Sequence, residues 1–481
     1  MSIRKSLSSG ILYTGITRYS GVLVSIVIGA ILARLLTPAE FGVVALVTVF
    51  ISFFNLLTDV GIGPAVIQNK KLTDEDVQSI FLLCILLGLV LTFLFFFSAT
   101  LIASFYENKD LIPLIRLLSL TVFFSSLRIV PNALLLKKLK FKQIGFVTIT
   151  VQLFSGILAI VLAYKGFSYY SLVFKSIFDS FITFVILFKL SPVKLILYLR
   201  KSALNKIIHF SSFQFLFNFI NYFSRNTDNL LIGKFLSPVS LGFYDKSYQL
   251  MMMPVQNLTH VITPVLHPVL SEFQNDKLRI LNAYTKVVRL LATIGFPISV
   301  FLYFTASEII LILYGVQWEK SIPVFKILAL TVGIQMVLSS SGSIFQAINR
   351  TDLLFYSGAI SAVFMVGGIS YGIFIEKSLE GVGFGLIVAF LINFFQGFYI
   401  LIKFALKGSV LYFFKSFLFP ITTSIIIWLC LLSFQSIKID NLYISLLGKI
   451  VISFSVFLLV NFFNKNNRNL ALDFLKNRRA F

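Results

Sequence analysis

Ionisable residues stand inside otherwise apolar stretches of this chain, and seven of them are candidates for a site. Four are cationic (Arg18, Arg128, Lys175, Arg225) and three acidic (Asp59, Asp179, Asp228). In hydrocarbon, a charge at the centre of a helix costs about 2.5–3.5 kcal/mol on insertion scales. Carrying that cost repeatedly implies partners or a hydrated cavity. Arginine suits one kind of cargo in particular, because its guanidinium grips phosphate oxygens two at a time. Cations outnumber acids among these seven, four to three, which points to an anionic ligand; a site for drug cations needs the reverse sign.

Spacing sorts these residues further. Lys175 and Asp179 are four apart and share a helix face, so they form either an intrahelical pair or part of a cavity wall. Arg225 and Asp228 also share a face. Arg18 and Arg128 have no acid nearby in sequence. They line a cavity, or else pack between helices against a carboxylate such as Asp59. Asp179 is the acid best suited to link transport to an ion, with Asp59 and Asp228 as further candidates.

No arrangement of residues suits covalent chemistry or a metal. There is no P-loop and no HExxH. Cys84 and Cys430 lie in apolar runs without CxxC spacing and read as buried free thiols. His260 and His267, seven apart, read as packing residues. No catalytic residue, metal or cofactor is expected, and the loops are too short to hold the domain of a polymerase or glycosyltransferase.

The elements that must position these residues are membrane helices. Hydrophobic residues make up 58% of the 481 and charged residues 12%, with a mean hydropathy of +0.93. A soluble globular chain carries about 25% charged residues. Runs of about 20 apolar residues suffice to span a bilayer. About fourteen appear, near 12–35, 41–63, 79–104, 112–135, 143–164, 167–190, 209–233, 240–266, 287–314, 322–346, 353–375, 381–404, 411–433 and 442–463. A formal charge of +22 would suggest nucleic acid in a soluble chain, but here the basic residues sit in short loops between these runs, so no nucleic-acid partner is expected. One set of alternate loops holds most of them, including Lys137, Lys138, Lys140, Lys142, Arg200, Lys201 and Lys206. Positive residues mark the cytoplasmic side, so both termini are expected inside, with the first helix retained as an anchor.

The chain also repeats itself. Leu35-Leu36-Thr37-Pro38 returns as Phe235-Leu236-Ser237-Pro238, and Gly42 returns as Gly242, 200 residues on. Ile112-Pro113 and Arg116 return as Ile322-Pro323 and Lys326, at an offset of 210. Such a period implies two similar bundles related by an axis along the membrane normal. The expected plan is a six-helix lobe over 1–190, a basic cytoplasmic linker over 191–208, a six-helix lobe over 209–404, and two further helices with a basic tail over 405–481. Prolines such as Pro64, Pro131, Pro254 and Pro297 are read as kinks or hinges in these helices.

The stretch Asp228-Asn229-Leu230-Leu231-Ile232-Gly233-Lys234, followed by Leu241-Gly242-Phe243-Tyr244, resembles the polysaccharide-repeat flippases of the multidrug/oligosaccharidyl-lipid/polysaccharide exporter superfamily. So does Leu35-Leu36-Thr37-Pro38-Ala39-Glu40-Phe41-Gly42. The colanic-acid and teichuronic-acid branch is the most similar in flavour. The resemblance implies a multi-pass protein of the bacterial plasma membrane that moves undecaprenyl-diphosphate-linked oligosaccharide outward by alternating access. It implies two lobes around a cationic cavity, with Arg18 as a cavity residue. Lipid-linked oligosaccharide and membrane lipids are the implied partners, with polysaccharide polymerase and chain-length machinery beside them. A drug/cation antiporter of the same superfamily and a lipid II flippase are the rival readings.

Overall fold

The computed structural model describes residues 3–59, 61–69, 72–196, 198–200, 222, 226–274 and 276–463. Every regular element among them is helical. That is what lipid permits for a chain that does not close into a barrel, since each backbone donor and acceptor is satisfied within its own helix. Eleven helices are long and apolar enough to cross a membrane, or twelve when one bent pair counts as a single span. The chain is a multi-pass membrane protein. Its large exposed side chains, such as Phe97, Leu101, Phe454 and Phe463, meet hydrocarbon rather than water.

The described residues form two compact units, Met1–Gly242 and Phe243–Phe481. In the first, α1 (Ile3–Leu35) lies along α6 (Phe141–Tyr164). The central helix is α5 (Leu111–Lys137). It packs against α4 (Asp74–Phe105), α7 (Tyr170–Leu190), α2 (Pro38–Asp59) and the short α3 (Ile62–Gln68). Cys84 is fully buried on α4, where its carbonyl accepts the Ser126 hydroxyl at 2.5 Å. A short α8 (226–235) and the start of α9 (Pro238–Ser271) complete this unit.

The repeated motif has a visible physical role. Thr37 caps α2: Glu40 N donates to its Oγ1 at 3.4 Å, and Thr37 N donates back to the Glu40 carboxylate at 2.6 Å. This is the reciprocal capping box. Ser237 caps α9 likewise, accepting from Ser240 N at 3.0 Å. Each helix then opens on proline, which loses no hydrogen bond at that position. The glycines four residues on allow the two copies to meet. A Cβ on Gly42 would lie 1.7 Å from the Pro238 carbonyl oxygen, and one on Gly242 would lie 2.0 Å from that of Pro38.

The second unit is built on α10 (Lys277–Phe304). It packs against α12 (Ser321–Ala329), α13 (Val332–Leu338), α18 (Leu418–Gln435) and α19 (Leu442–Phe463). Its core holds Tyr284, Phe345, Phe398, Phe413 and Phe417. The remaining helices are α11 (Ala306–Leu313), α14 (Ser341–Ala347), α15 (Thr351–Phe374), α16 (Leu379–Tyr399) and α17 (Val410–Lys415). The sequence suggests single spans over 287–314 and 322–346. The chain instead breaks at Thr305 between α10 and α11 and bends by 46° between Ser321–Ala329 and Val332–Ala347. Hydropathy runs unbroken through both places and carries no sign of either break.

Candidate functional site

A polar pocket of about 410 Å³ opens in the first unit where a helix is interrupted. α2 ends at Asp59, and Gly61 takes a left-handed backbone (φ 75°) that glycine adopts without strain. α3 then restarts. Asp59 Oδ1 accepts from Gly63 N at 3.3 Å, placing a carboxylate at the positive end of this half-helix, where the field favours it. The other end is matched by a cation: Lys137 Nζ donates to the Val66 and Asn69 carbonyls at 3.1 and 2.9 Å.

The wall opposite the break is α5. Ser125, Arg128 and Asn132 fall on one face at intervals of three and four residues, facing Asn55, Thr58 and Asp59 across the pocket. The Thr58 hydroxyl is spent on the Asn55 carbonyl at 2.7 Å. Asn55 Oδ1 is buried without a hydrogen-bond partner. Among the described residues the Arg128 guanidinium makes no hydrogen bond and no ion pair within 4.0 Å. The Asp179 carboxylate attracts it over a longer distance. A half-buried, uncommitted guanidinium among amides and hydroxyls is equipped to hold an anion with several oxygens.

The other sequence candidates lie apart from this pocket. Asp179 accepts from Ser155 Oγ at 3.4 Å. No ion pair within 4.0 Å joins it to Lys175, so of the two readings left open for that couple, the close intrahelical pair is not formed. Arg18 is half-buried on α1 and does not line the pocket. Its neighbours fix α1 on α6: Thr17 fills the space beside Gly145, and Gln152 Nε2 donates to the Gly21 carbonyl at 3.0 Å. Arg225 lies outside the described residues, as do the side chains of His260 and His267. Asp228 is buried on α8, where its Oδ1 accepts from Asn229 N at 2.8 Å. α8 is fastened to α4 by Lys234 Nζ to Glu107 Oε1 at 2.7 Å and by Tyr106 Oη to the Leu230 carbonyl at 3.4 Å. Lys234 holds the exposed Glu107 carboxyl below its ordinary pKa, through the hydrogen bond first and charge second.

The sequence reading missed Asn55, Ser125, Asn132 and the Glu308–Lys449 pair. Asn55-x-x-Thr58-Asp59 and Ser125-x-x-Arg128-x-x-x-Asn132 are polar faces at helical spacing within apolar helices, and that spacing was available as a signal. Glu308 and Lys449 are 141 residues apart, so nothing local joins them.

The fold is shared with solved transporters. The structure titled "Lipid II flippase MurJ, inward closed conformation" superposes at a TM-score of 0.74, covering 93% of this chain and 98% of its own, at 17% identity. An inward-facing multidrug resistance MATE family transporter of the MOP superfamily gives 0.61 over 80% and 97%, at 15% identity. Among sequences, "Teichuronic acid biosynthesis protein TuaB" of Bacillus subtilis (strain 168) is 25% identical over 87% of both chains. "Lipopolysaccharide biosynthesis protein WzxC" of Escherichia coli (strain K12) is 25% identical over 85% of this chain and 83% of its own. "Succinoglycan biosynthesis transport protein ExoT" of Rhizobium meliloti (strain 1021) is 24% identical over 71% and 69%. The family model described as "Polysaccharide biosynthesis protein" matches residues 31–323, more than half of the sequence, and the chain belongs to that family.

Proposed function

We propose that this protein is a flippase. It moves polyprenyl-diphosphate-linked oligosaccharide repeat units from the inner to the outer leaflet of the bacterial plasma membrane by alternating access. The observation that carries the reading is the uncommitted Arg128 guanidinium in a polar pocket at a helix break, in a chain whose relatives are named for making or transporting extracellular polysaccharides. The diphosphate is the part of such a cargo that hydrocarbon rejects. Arg128, with Arg18, Lys175 and Arg225, supplies the compensating charge in this reading. Asp179 shares the field of Arg128 and is the proposed proton- or sodium-linked acid, ahead of Asp59 and Asp228. Outward movement of two negative charges gains on the order of 4–5 kcal/mol per 100 mV of interior-negative potential.

The full membrane plan belongs to the same proposal. Fourteen spans follow if the bent pair counts as one span and if α9 and the segment ending in α8 each cross. Both termini are then cytoplasmic, with lobes over 1–190 and 209–404, the linker over 191–208 and two added helices in 405–481. The matched caps of α2 and α9, and the reciprocal approach of Gly42 and Gly242, support parallel repeats. A polymerase and chain-length machinery would act on the delivered units. No cofactor enters the reading.

The test is deletion of the gene in its own host, followed by leaflet-resolved analysis of lipid-linked sugars. The expected result is that polyprenyl-diphosphate oligosaccharide accumulates facing the cytoplasm and that the intact gene relieves it. Accumulation of lipid II instead would assign the lipid II reading, and normal export with newly gained sensitivity to cationic dyes would assign the drug antiporter.

A further inference from the structure

A second cation lies at membrane depth in the second unit, and its surroundings describe a ligand. Arg289 is twelve residues into α10, about 18 Å along the helix from its start. Its Nε is buried and has no hydrogen-bond partner. Among the described residues its guanidinium makes no hydrogen bond and no ion pair within 4.0 Å. What it meets is an aromatic face: its Cζ lies 5.9 Å from the Phe419 ring centroid on α18. A cation–π contact of this kind offsets only part of the cost of removing a charge from water.

Further along α10, an apolar groove of about 300 Å³ lies between α10, α13 and α18. Phe296 and Val300 line it from α10, seven and eleven residues after Arg289 and on the same helical face. Ile421, Ile425 and Trp428 line it from α18, starting two residues after Phe419. The uncommitted charge therefore lies about two helical turns before an apolar trough, on the same face of α10. The complementary molecule has an anionic head and a hydrocarbon chain leaving it in one direction.

We infer that Arg289 seats the phosphate of the polyprenyl-diphosphate lipid while the first isoprene units of its chain lie along the α10–α18 groove. This inference rests on the flippase reading above, but it concerns the other unit and a different part of the cargo. The arginine fixes the head by paired, charge-assisted bonds, and the groove takes the chain by burial alone. A bilayer phospholipid carries one phosphate and two chains, and so matches both features less well.

The test places the full chain in zwitterionic phosphatidylcholine nanodiscs with a photoreactive polyprenyl diphosphate. Cross-linked peptides are mapped and labelling is titrated. Cross-links in α10 and α18 are expected, with Arg289→Gln weakening uptake about tenfold or more and Arg289→Lys weakening it less. Ile425 is half exposed, so Ile425→Trp fills the groove without touching the arginine. It should lower labelling by the long-chain probe while leaving competition by inorganic pyrophosphate unchanged. Undiminished labelling in both Arg289→Gln and Ile425→Trp overturns the inference, and so does phosphatidylglycerol competing as well as unlabelled polyprenyl diphosphate. If the unaltered protein takes up no probe at all, the cargo assigned above fails together with this seat.

Discussion

Arg128 concentrates the functional argument in one side chain. It stands on α5 among Ser125 and Asn132, with Asn55, Thr58 and Asp59 opposite. The carboxylate that acts on it electrostatically, Asp179, is not within ion-pair distance. Among the described residues no hydrogen bond or ion pair commits it to the protein, and under the proposed function its partner is the cargo. A charge-assisted hydrogen bond contributes roughly 1.5–3 kcal/mol, so Arg128→Gln should lower glycan export about tenfold or more. The variant should still reach the membrane at normal levels, because no structural bond is lost; Arg128→Lys keeps the charge and loses the paired geometry, and should fall between. Export assayed in a deletion strain, with membrane abundance measured beside it, decides this. Full export by Arg128→Gln would remove the pocket from the mechanism. Arg128 and Asp59 were legible as candidates because a charge in an apolar run is conspicuous. Asn55 and Asn132 carried only the weaker signal of polar spacing within an apolar helix, and nothing local joins the two faces into one pocket.

At the scale of elements, the two added helices show what sequence hides. α19 is held by Lys449, whose Nζ donates to the Phe304 carbonyl at 2.8 Å and pairs with Glu308 on α11. Ser445 Oγ donates to the same carboxylate at 2.7 Å. Both charged side chains are almost fully buried, and Glu308 Oε2 has no partner. In a single span over 287–314, Glu308 would lie near the end of a long helix, where a long side chain reaches water. The break at Thr305 sets α11 off from α10 and leaves its acid inside. Breaking a buried pair strands the remaining charge, at a cost of about 3–5 kcal/mol. Glu308→Gln and Lys449→Met should each lower the unfolding temperature in detergent clearly, while Glu308→Leu with Lys449→Met should recover much of the loss. If the double variant is as unstable as the sum of the singles, the pair is not a coupled unit. The breaks themselves were invisible because hydropathy measures composition, and the residues on both sides of each are equally apolar.

For the molecule as a whole, the repeated motif was legible because each occurrence carries the same capped helix entry and the same glycine four residues on. Thr37-Pro38 and Ser237-Pro238 start helices, and Gly42 and Gly242 each face the other copy's proline carbonyl. The sequence placed these residues 200 apart; it could not tell that they touch. Their contact makes a sharp expectation about which glycines matter. Gly42→Ala puts a methyl 1.7 Å from the Pro238 oxygen, and Gly242→Ala puts one 2.0 Å from that of Pro38. Neither carbonyl can swing aside as the end of a flexible side chain would, so backbone must shift at the start of α2 or α9. Each substitution should abolish export or sharply reduce the amount of folded protein. Gly29→Ala has open space around its new methyl and replaces glycine in a helix interior, where alanine is favoured by about 1 kcal/mol. It should leave both readouts unchanged or raise stability slightly. Equal effects from all three alanines would show that the loss follows from glycine in a helix generally. Damage confined to positions 42 and 242 would tie the repeated motif to the meeting of its two copies.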